Sequence, residues 1–94
     1  MKKILVTRRL LKSNEERISK IWEAKLNSND EIYSQNKLIE LSKDCDGILS
    51  SITDKIDEGT INQLSDSVKI ISNFAVGFGN IDIKAAREKK IVVT

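Results

Sequence analysis

The stretch KIISNFAVGFGNIDIKAAREKKIVVT, residues 69–94, decides the fold, because it predicts a strand, a helix and a second strand in immediate succession. The apolar residues within 69–72 are typical of a short buried strand, and 91–94 repeat that pattern. Between them, Asp82 is a favourable residue to begin a helix over 83–89. A helix that joins two neighbouring strands in this way predicts a right-handed crossover and a parallel sheet.

The same alternation of strands and helices extends back to the N-terminus. The sequence SNEE at 13–16 has the spacing of a capping box and predicts the start of a helix. The predicted elements are, in order, a strand at 4–7, a helix from Ser13 to near Lys25, a short edge strand at 31–33, a helix at 36–44, a strand at 47–50, a helix at 57–64 and the unit at 69–94. This order predicts an α/β, flavodoxin-like three-layer domain whose parallel sheet has the strand order 2-1-3-4-5. Because nothing covers the last strand, the domain is expected to be incomplete at the C-terminus.

Composition indicates a small soluble globular segment. Of the 94 residues, 39% are hydrophobic and 32% are charged, with a formal net charge of +2, which suits one small domain or part of a larger one. No apolar run approaches the ~20 residues that a membrane-spanning helix needs, so no membrane partner is expected. The weak net charge and an aromatic content of 4% also argue against nucleic acid as a partner.

Cysteine and histidine usage limits the chemistry further. The single Cys45 cannot form an internal disulfide, which favours a cytoplasmic location, and the residue is expected to be a small buried side chain. Histidine is absent, which excludes a Ser-His-Asp triad, a Cys-His pair and an imidazole metal site within these residues. No metal site is therefore predicted.

Ligand-binding residues are expected beyond the carboxyl ends of the strands, as in other open parallel sheets. Three loops follow strands there: the first begins at Arg8, the second covers 50–54 and the third covers 73–80. In the third loop, Gly77 and Gly79 allow a positive φ and a close approach of a ligand to backbone N–H groups. Exposed amides next to a helix N-terminus favour an anion site.

Other interpretations of these loops stay open at this point. The third loop begins as G-x-G, but Asp82 occupies the sixth position of a dinucleotide fingerprint, where a carboxylate would repel pyrophosphate. The glycines are also consistent with a turn that serves geometry alone. Arg8 and Arg9 are either fold-stabilising or solvated side chains or an anion clamp, and Asp54 and Asp57 are interpreted as turn and cap residues.

Several stretches of the chain form one pattern when they are taken together. They are Val6-Thr7, Arg8-Arg9-Leu10, TDKID at 53–57, KIISNFAVGFGNID at 69–82, Ala85-Ala86 and IVVT at 91–94. This pattern resembles the D-isomer-specific 2-hydroxyacid dehydrogenases, and within them the glyoxylate/hydroxypyruvate reductase branch. The resemblance extends over essentially the whole chain. At Gly79 the chain departs from it, because the family commonly has Asp there.

The resemblance implies that residues 1–94 are the N-terminal part of a substrate-binding (catalytic) domain and that the nucleotide-binding domain is absent. It implies that the backbone N–H groups of Ala75, Val76 and Gly77 hold the carboxylate of a small 2-keto or 2-hydroxy acid. Ser51 is implied to line the substrate cleft from the neighbouring loop. These four residues are the predicted substrate-binding residues.

The resemblance also implies what the chain lacks. The full-length family binds NAD(P) and uses an Arg, a carboxylate and a His that follow this segment, so no catalytic or cofactor-binding residue is predicted here. The 94 residues alone are expected to be inactive. The family is usually homodimeric, and this chain is expected either to be marginally stable or to self-associate through its last strand. The alternative function is a stand-alone flavodoxin-like module that binds a small anion without catalysis.

Overall fold

The computed structural model of the chain describes residues 2–74, 77 and 79–94. Its elements are, in chain order, β1 (Lys3–Val6), α1 (Lys12–Ile21), β2 (Glu23–Lys25), α2 (Gln35–Leu41), β3 (Gly47–Ser51), α3 (Glu58–Gln63), β4 (Ile70–Phe74), α4 (Ile83–Glu88) and β5 (Val92–Val93). All neighbouring strands are parallel, in the order β2-β1-β3-β4-β5, which confirms the predicted fold and topology. None of the helices in the described ranges is long and apolar enough to cross a membrane.

The helices lie on both faces of the sheet. Because β2 and β3 flank β1 on opposite sides, right-handed crossovers place α1 on one face and α2, α3 and α4 on the other. The main core lies under these last three helices, where Leu5, Ile48 and Ile71 of the sheet pack against buried helical side chains. α1 packs against β2 and buries none of its own residues. On the face of the sheet that carries α1, the alternation of side chains along the strands leaves Phe74 and Val92 exposed.

The predicted edge strand at 31–33 is wrong, because β2 forms earlier, at Glu23–Lys25. In this segment the chain pairs with β1, with Lys3 opposite Glu23. The side-chain amide of Asn27 then donates to the carbonyl oxygens of Thr7 (2.8 Å) and Glu31 (2.7 Å). Asn27 is buried, so it fixes the chain after β2 as a loop and leaves no strand at 31–33.

The predicted capping box at 13–16 is also wrong. α1 begins at Lys12 with Leu11 at the N-cap position, and no side chain caps it there. Instead, the Glu15 carboxylate accepts a hydrogen bond from the backbone N–H of Leu10 at 3.2 Å. The apolar face predicted for this helix is weak as well, because Ile21 is 71% exposed and Trp22 is only half-buried.

The two Asp caps that the sequence predicts are confirmed. Asp57 accepts from the backbone N–H of Thr60 at 2.9 Å, and Asp82 accepts from that of Ala85 at 3.0 Å. Each carboxylate satisfies a donor in the first turn of its helix, α3 and α4 respectively. The two caps therefore fix where the loops before α3 and α4 end.

Candidate functional site

The three loops selected from the sequence lie at one edge of the sheet. They follow β1, β3 and β4, which are neighbours in the sheet, so their carboxyl ends are adjacent. At this edge Ser51 pairs with Phe74, and Ser50 pairs with Asn73. The Ser50 hydroxyl donates to the Asn73 side-chain carbonyl oxygen at 2.9 Å, which joins the ends of β3 and β4.

Ser51, a predicted substrate-binding residue, is the last residue of β3 and is half-buried. Its backbone N–H donates to Oδ2 of Asp54 at 2.9 Å, and its hydroxyl lies 3.3 Å from the same oxygen. The hydroxyl also lies 2.9 Å from Oγ1 of Thr53. These contacts hold Ser51 in one orientation at the rim of the edge, with its backbone N–H already occupied.

Asp54 is the buried acceptor at the centre of this edge. Its side chain is nearly inaccessible, and Oδ2 accepts from the hydroxyl of the fully buried Thr7 as well as from Ser51. Its other oxygen, Oδ1, accepts no hydrogen bond from any described residue. The backbone N–H of Asp54 closes the turn to the Ser51 carbonyl at 3.0 Å, so the interpretation as a turn residue is confirmed. The link to β1 adds a second role, which sequence spacing did not reveal.

Asn80 joins the second and third loops. Its side-chain amide donates to the carbonyl oxygens of Ser51 and Asp54, both at 3.0 Å. Its own side-chain oxygen accepts from Nδ2 of Asn73 at 2.9 Å, and Nδ2 of Asn73 also lies 3.3 Å from the Gly77 carbonyl. The Gly77 loop is thus tied to the Ser51 loop through two asparagines. Sequence reasoning missed both, although Asn in a Gly-rich loop is a known sign of side-chain-to-backbone bonding.

Gly77 has a conformation that requires glycine. Its φ is +78°, in the left-handed region, and the residue is exposed. A Cβ placed on Gly77 would meet no atom within 4 Å, and the same is true of Gly79, whose φ is not in that region. At Gly77 a larger residue is therefore disfavoured by the backbone conformation and not by steric crowding. Two further predicted substrate-binding residues, Ala75 and Val76, lie outside the described residues.

Arg8 is a fold-stabilising residue and not a free anion clamp. Its Nε donates to Oδ1 of Asp30 at 2.9 Å, and Nη2 reaches Oδ2 of the same carboxylate at 3.3 Å. Nη1 donates to Oγ1 of Thr53 at 2.9 Å. The hydrogen bond from Arg8, together with one from the backbone N–H of Arg9, lowers the pKa of Asp30 to about 2. The guanidinium of Arg8 is therefore occupied at any physiological pH.

The start of α4 does not fit a dinucleotide fingerprint. The Asp82 carboxylate caps α4 by accepting from the Ala85 N–H, so it places negative charge where a pyrophosphate would need free donors. Among the residues that the structure describes, no three His, Cys, Asp or Glu side chains come together as a metal site would require. Cys45 is buried at the end of the α2 turn, and burial raises the pKa of its thiol, which confirms its interpretation as a core side chain.

Comparison with known proteins agrees with the fold. Residues 4–94 match the catalytic domain of the D-isomer specific 2-hydroxyacid dehydrogenases. A glyoxylate reductase from Korarchaeum cryptofilum is 33% identical over 92 residues, which cover 98% of this chain and 27% of that protein.

Comparison with solved structures supports the same family and fold. The cofactor (NAD+)-bound 3-phosphoglycerate dehydrogenase from Entamoeba histolytica is 33% identical with a TM-score of 0.78, over 98% of this chain and 32% of that one. The PH0520 protein from Pyrococcus horikoshii is 26% identical with a TM-score of 0.88, over 100% of this chain and 27% of that one. The chain thus spans about a quarter to a third of the length of the relatives that it matches.

Proposed function

The chain belongs to the D-isomer specific 2-hydroxyacid dehydrogenase family, and from that premise we propose that it forms the part of the substrate-binding domain that holds the substrate carboxylate. The proposed ligand is a small 2-keto or 2-hydroxy acid, with glyoxylate as its simplest form, because the relatives named glyoxylate reductase match nearly the whole chain. The nucleotide-binding domain would be a separate part of the enzyme.

The observation that carries this proposal is the loop arrangement around Gly77. An exposed Gly77 with positive φ follows β4 at the carboxyl edge, and Asn73 and Asn80 connect its loop to the Ser51 loop. Such a loop can present successive N–H groups to one anion, and we assign this role to the amides of Ala75, Val76 and Gly77. Ser51 would then line the side of the cleft.

The chemistry assigned to this chain is binding and orientation. Hydrogen bonds from N–H groups to a carboxylate contribute about 1.5–3 kcal/mol each, which supports a millimolar affinity once the entropy of association is subtracted. A substrate held by its carboxylate would present its C2 atom to the remainder of the enzyme. There a hydride would pass between C2 and NAD(P). We expect no turnover from these residues alone, because the family's histidine acid/base has no counterpart in them.

The alternative function, a stand-alone module that holds a small anion with the Gly77 loop together with Arg8 and Arg9, has less support. The guanidinium of Arg8 makes two contacts with Asp30 and one with Thr53. This guanidinium could bind an anion only by breaking its ion pair with Asp30. The Gly77 loop is common to both functions, and the alternative loses the contribution of Arg8.

Replacing Gly77 with Ala should weaken glyoxylate binding about tenfold, because a left-handed φ costs a Cβ-bearing residue about 1–2 kcal/mol and the loop would relax. Gly79→Ala is the matched control, since a Cβ at either glycine would meet no atom within 4 Å but only Gly77 has a positive φ. Calorimetric titration of both variants with glyoxylate measures the difference. Equal affinities in the two variants would contradict a binding role for the Gly77 backbone.

A further inference from the structure

We infer that a cavity between the starts of α2 and α3 binds a small organic amine, whose ammonium group pairs with the buried carboxylate of Asp54. The ligand class is a primary ammonium on a short carbon chain. This inference goes beyond the proposed function, because the amine would contact the carboxylate oxygen of Asp54 that does not hold the Ser51 loop.

The cavity has a buried floor and an exposed rim. Its volume is about 320 Å³, and its lining includes Tyr33, Gln35, Leu38, Asp54, Lys55 and Asp57. Leu38 and Asp54 are buried and form the floor, whereas Gln35 and Lys55 are exposed at the rim. The cavity is therefore open to solvent on one side and has a buried carboxylate on the other.

Hydrogen bonds at the rim connect the two helices on either side of the cavity. Nε2 of Gln35, the first residue of α2, donates to the carbonyl oxygen of Lys55 and to Oδ2 of Asp57, both at 3.2 Å. Asp57 in turn caps α3 by accepting from the backbone N–H of Thr60. The starts of α2 and α3 are thus tied to each other, so the cavity between them is a fixed feature of the fold.

Asp54 is a buried carboxylate without a cationic partner. The residue is 2% exposed, and its Oδ2 already accepts from Thr7 and Ser51. Its Oδ1 accepts from no described residue, and none of the ion pairs in the described part of the chain includes Asp54. A buried carboxylate oxygen that lacks a donor costs free energy, and a charged donor satisfies it best. The floor of the cavity therefore favours a ligand with a positive charge.

The electrostatic field at the cavity also favours a cation. Burial raises the pKa of the Tyr33 phenol, and the negative charges of Glu31 and Asp54 raise it further, although Lys37 acts in the opposite direction. The carboxylate of Asp54 thus acts on a second group that lines the cavity. The lining as a whole carries two carboxylates and one ammonium, so its charge attracts a cation.

The size and the lining of the cavity indicate an organic amine and not a bare metal ion. At about 30 Å³ for each water-sized group, 320 Å³ holds on the order of ten such groups. Leu38 and Tyr33 add apolar surface for a short carbon chain, and an ammonium has three N–H donors for the oxygens around it. A metal ion would need several ligating side chains together, and the described residues contain no such group of three.

The test titrates the intact chain with ethylammonium chloride and with tetramethylammonium chloride at one ionic strength, followed by amide shifts in two-dimensional NMR. We expect a saturable response to ethylammonium at 33–38 and 54–57, with a Kd in the millimolar range. Tetramethylammonium has the same charge but no N–H donor, so its Kd should be at least about tenfold higher.

Three substitutions locate the ammonium group. Asp54→Asn should weaken ethylammonium binding about tenfold, because it removes the charge of the buried carboxylate. Asp66→Asn removes the same charge from an exposed residue after α3, so its Kd should match that of wild type. Lys55→Ala removes a like charge at the exposed rim and should tighten binding about twofold.

The outcomes decide the inference without involving the Gly77 loop. Equal Kd values for the two cations, or an Asp54→Asn chain that stays folded and binds ethylammonium as wild type does, would overturn it. If Asp54→Asn does not fold, a Lys55→Ala chain that binds no more tightly than wild type would overturn it. Glyoxylate shifts at 73–80 test the proposed function separately, and they stand or fail whatever the amine does.

Discussion

Replacing Asp54 with Ala is expected to lower the free energy of unfolding by about 3 kcal/mol, because buried donors that lose their acceptor cost about 1–3 kcal/mol each. The donors are the hydroxyl of Thr7, which is fully buried, and the N–H and hydroxyl of Ser51. One effect acts in the opposite direction, since Oδ1 of Asp54 is buried without a described partner and its removal relieves that cost. With three donors against one acceptor oxygen, we expect the destabilisation to dominate. Urea denaturation followed by circular dichroism measures it.

Asp57→Ala is the matched control for this substitution. It removes a carboxylate from the same region of the chain, one that caps α3. The free energy of unfolding should therefore fall by about 1 kcal/mol. Asp54→Asn keeps the shape of the side chain and offers an acceptor oxygen, and it should fall between wild type and Asp54→Ala. An Asp54→Ala chain as stable as wild type would show that the link between β1 and the β3 loop contributes nothing to folding.

Replacing Asn80 with Ala should cost at least about 2 kcal/mol of stability, because four hydrogen bonds of about 0.5–1.5 kcal/mol each are removed at once. Two of them are donated to the carbonyl oxygens of Ser51 and Asp54, and the other two are exchanged with the side-chain amide of Asn73. Since the same contacts tie the two loops together, the Gly77 amide should exchange with solvent several-fold faster. Hydrogen exchange followed by NMR reports both effects in one experiment.

Asn62→Ala serves as the comparison for Asn80→Ala. Asn62 is exposed on α3, where Ala favours the helix. The stability of the Asn62→Ala variant should therefore differ from wild type by no more than about 0.5 kcal/mol, and exchange of the Gly77 amide should not change. If Asn80→Ala behaves in the same way as Asn62→Ala, the two loops are not held together by this side chain. The proposed site would then lack its support.

The sheet could be predicted from the sequence because its signals are local. Short apolar runs at 47–50 and 69–72 identify strands by themselves, and Asp57 and Asp82 identify helix starts through donors three residues away. Once strands and helices alternate, the handedness of crossovers leaves few possible orders. The order β2-β1-β3-β4-β5 follows from these rules, although β2 itself was misplaced.

The interior of the site could not be predicted, because its partners are distant in sequence. Thr7 and Asp54 are 47 residues apart, and Asn80 reaches back 29 residues to Ser51. No spacing rule relates such positions, and a buried Asp in a turn has the same local pattern as an exposed one. The position of β2 was missed for the same reason, since Asn27 ends the strand by bonding to Thr7 across the sheet.

The most direct test of carboxylate binding is a titration of the 94-residue chain with glyoxylate, and separately with NADH, followed by amide shifts in two-dimensional NMR. At millimolar glyoxylate we expect amide shifts that are centred on Gly77 and extend to Val76 and Ser51, and with NADH we expect no shifts. A folded chain whose amides at 73–80 do not move with glyoxylate would contradict it, and so would NADH shifts centred on the same loop.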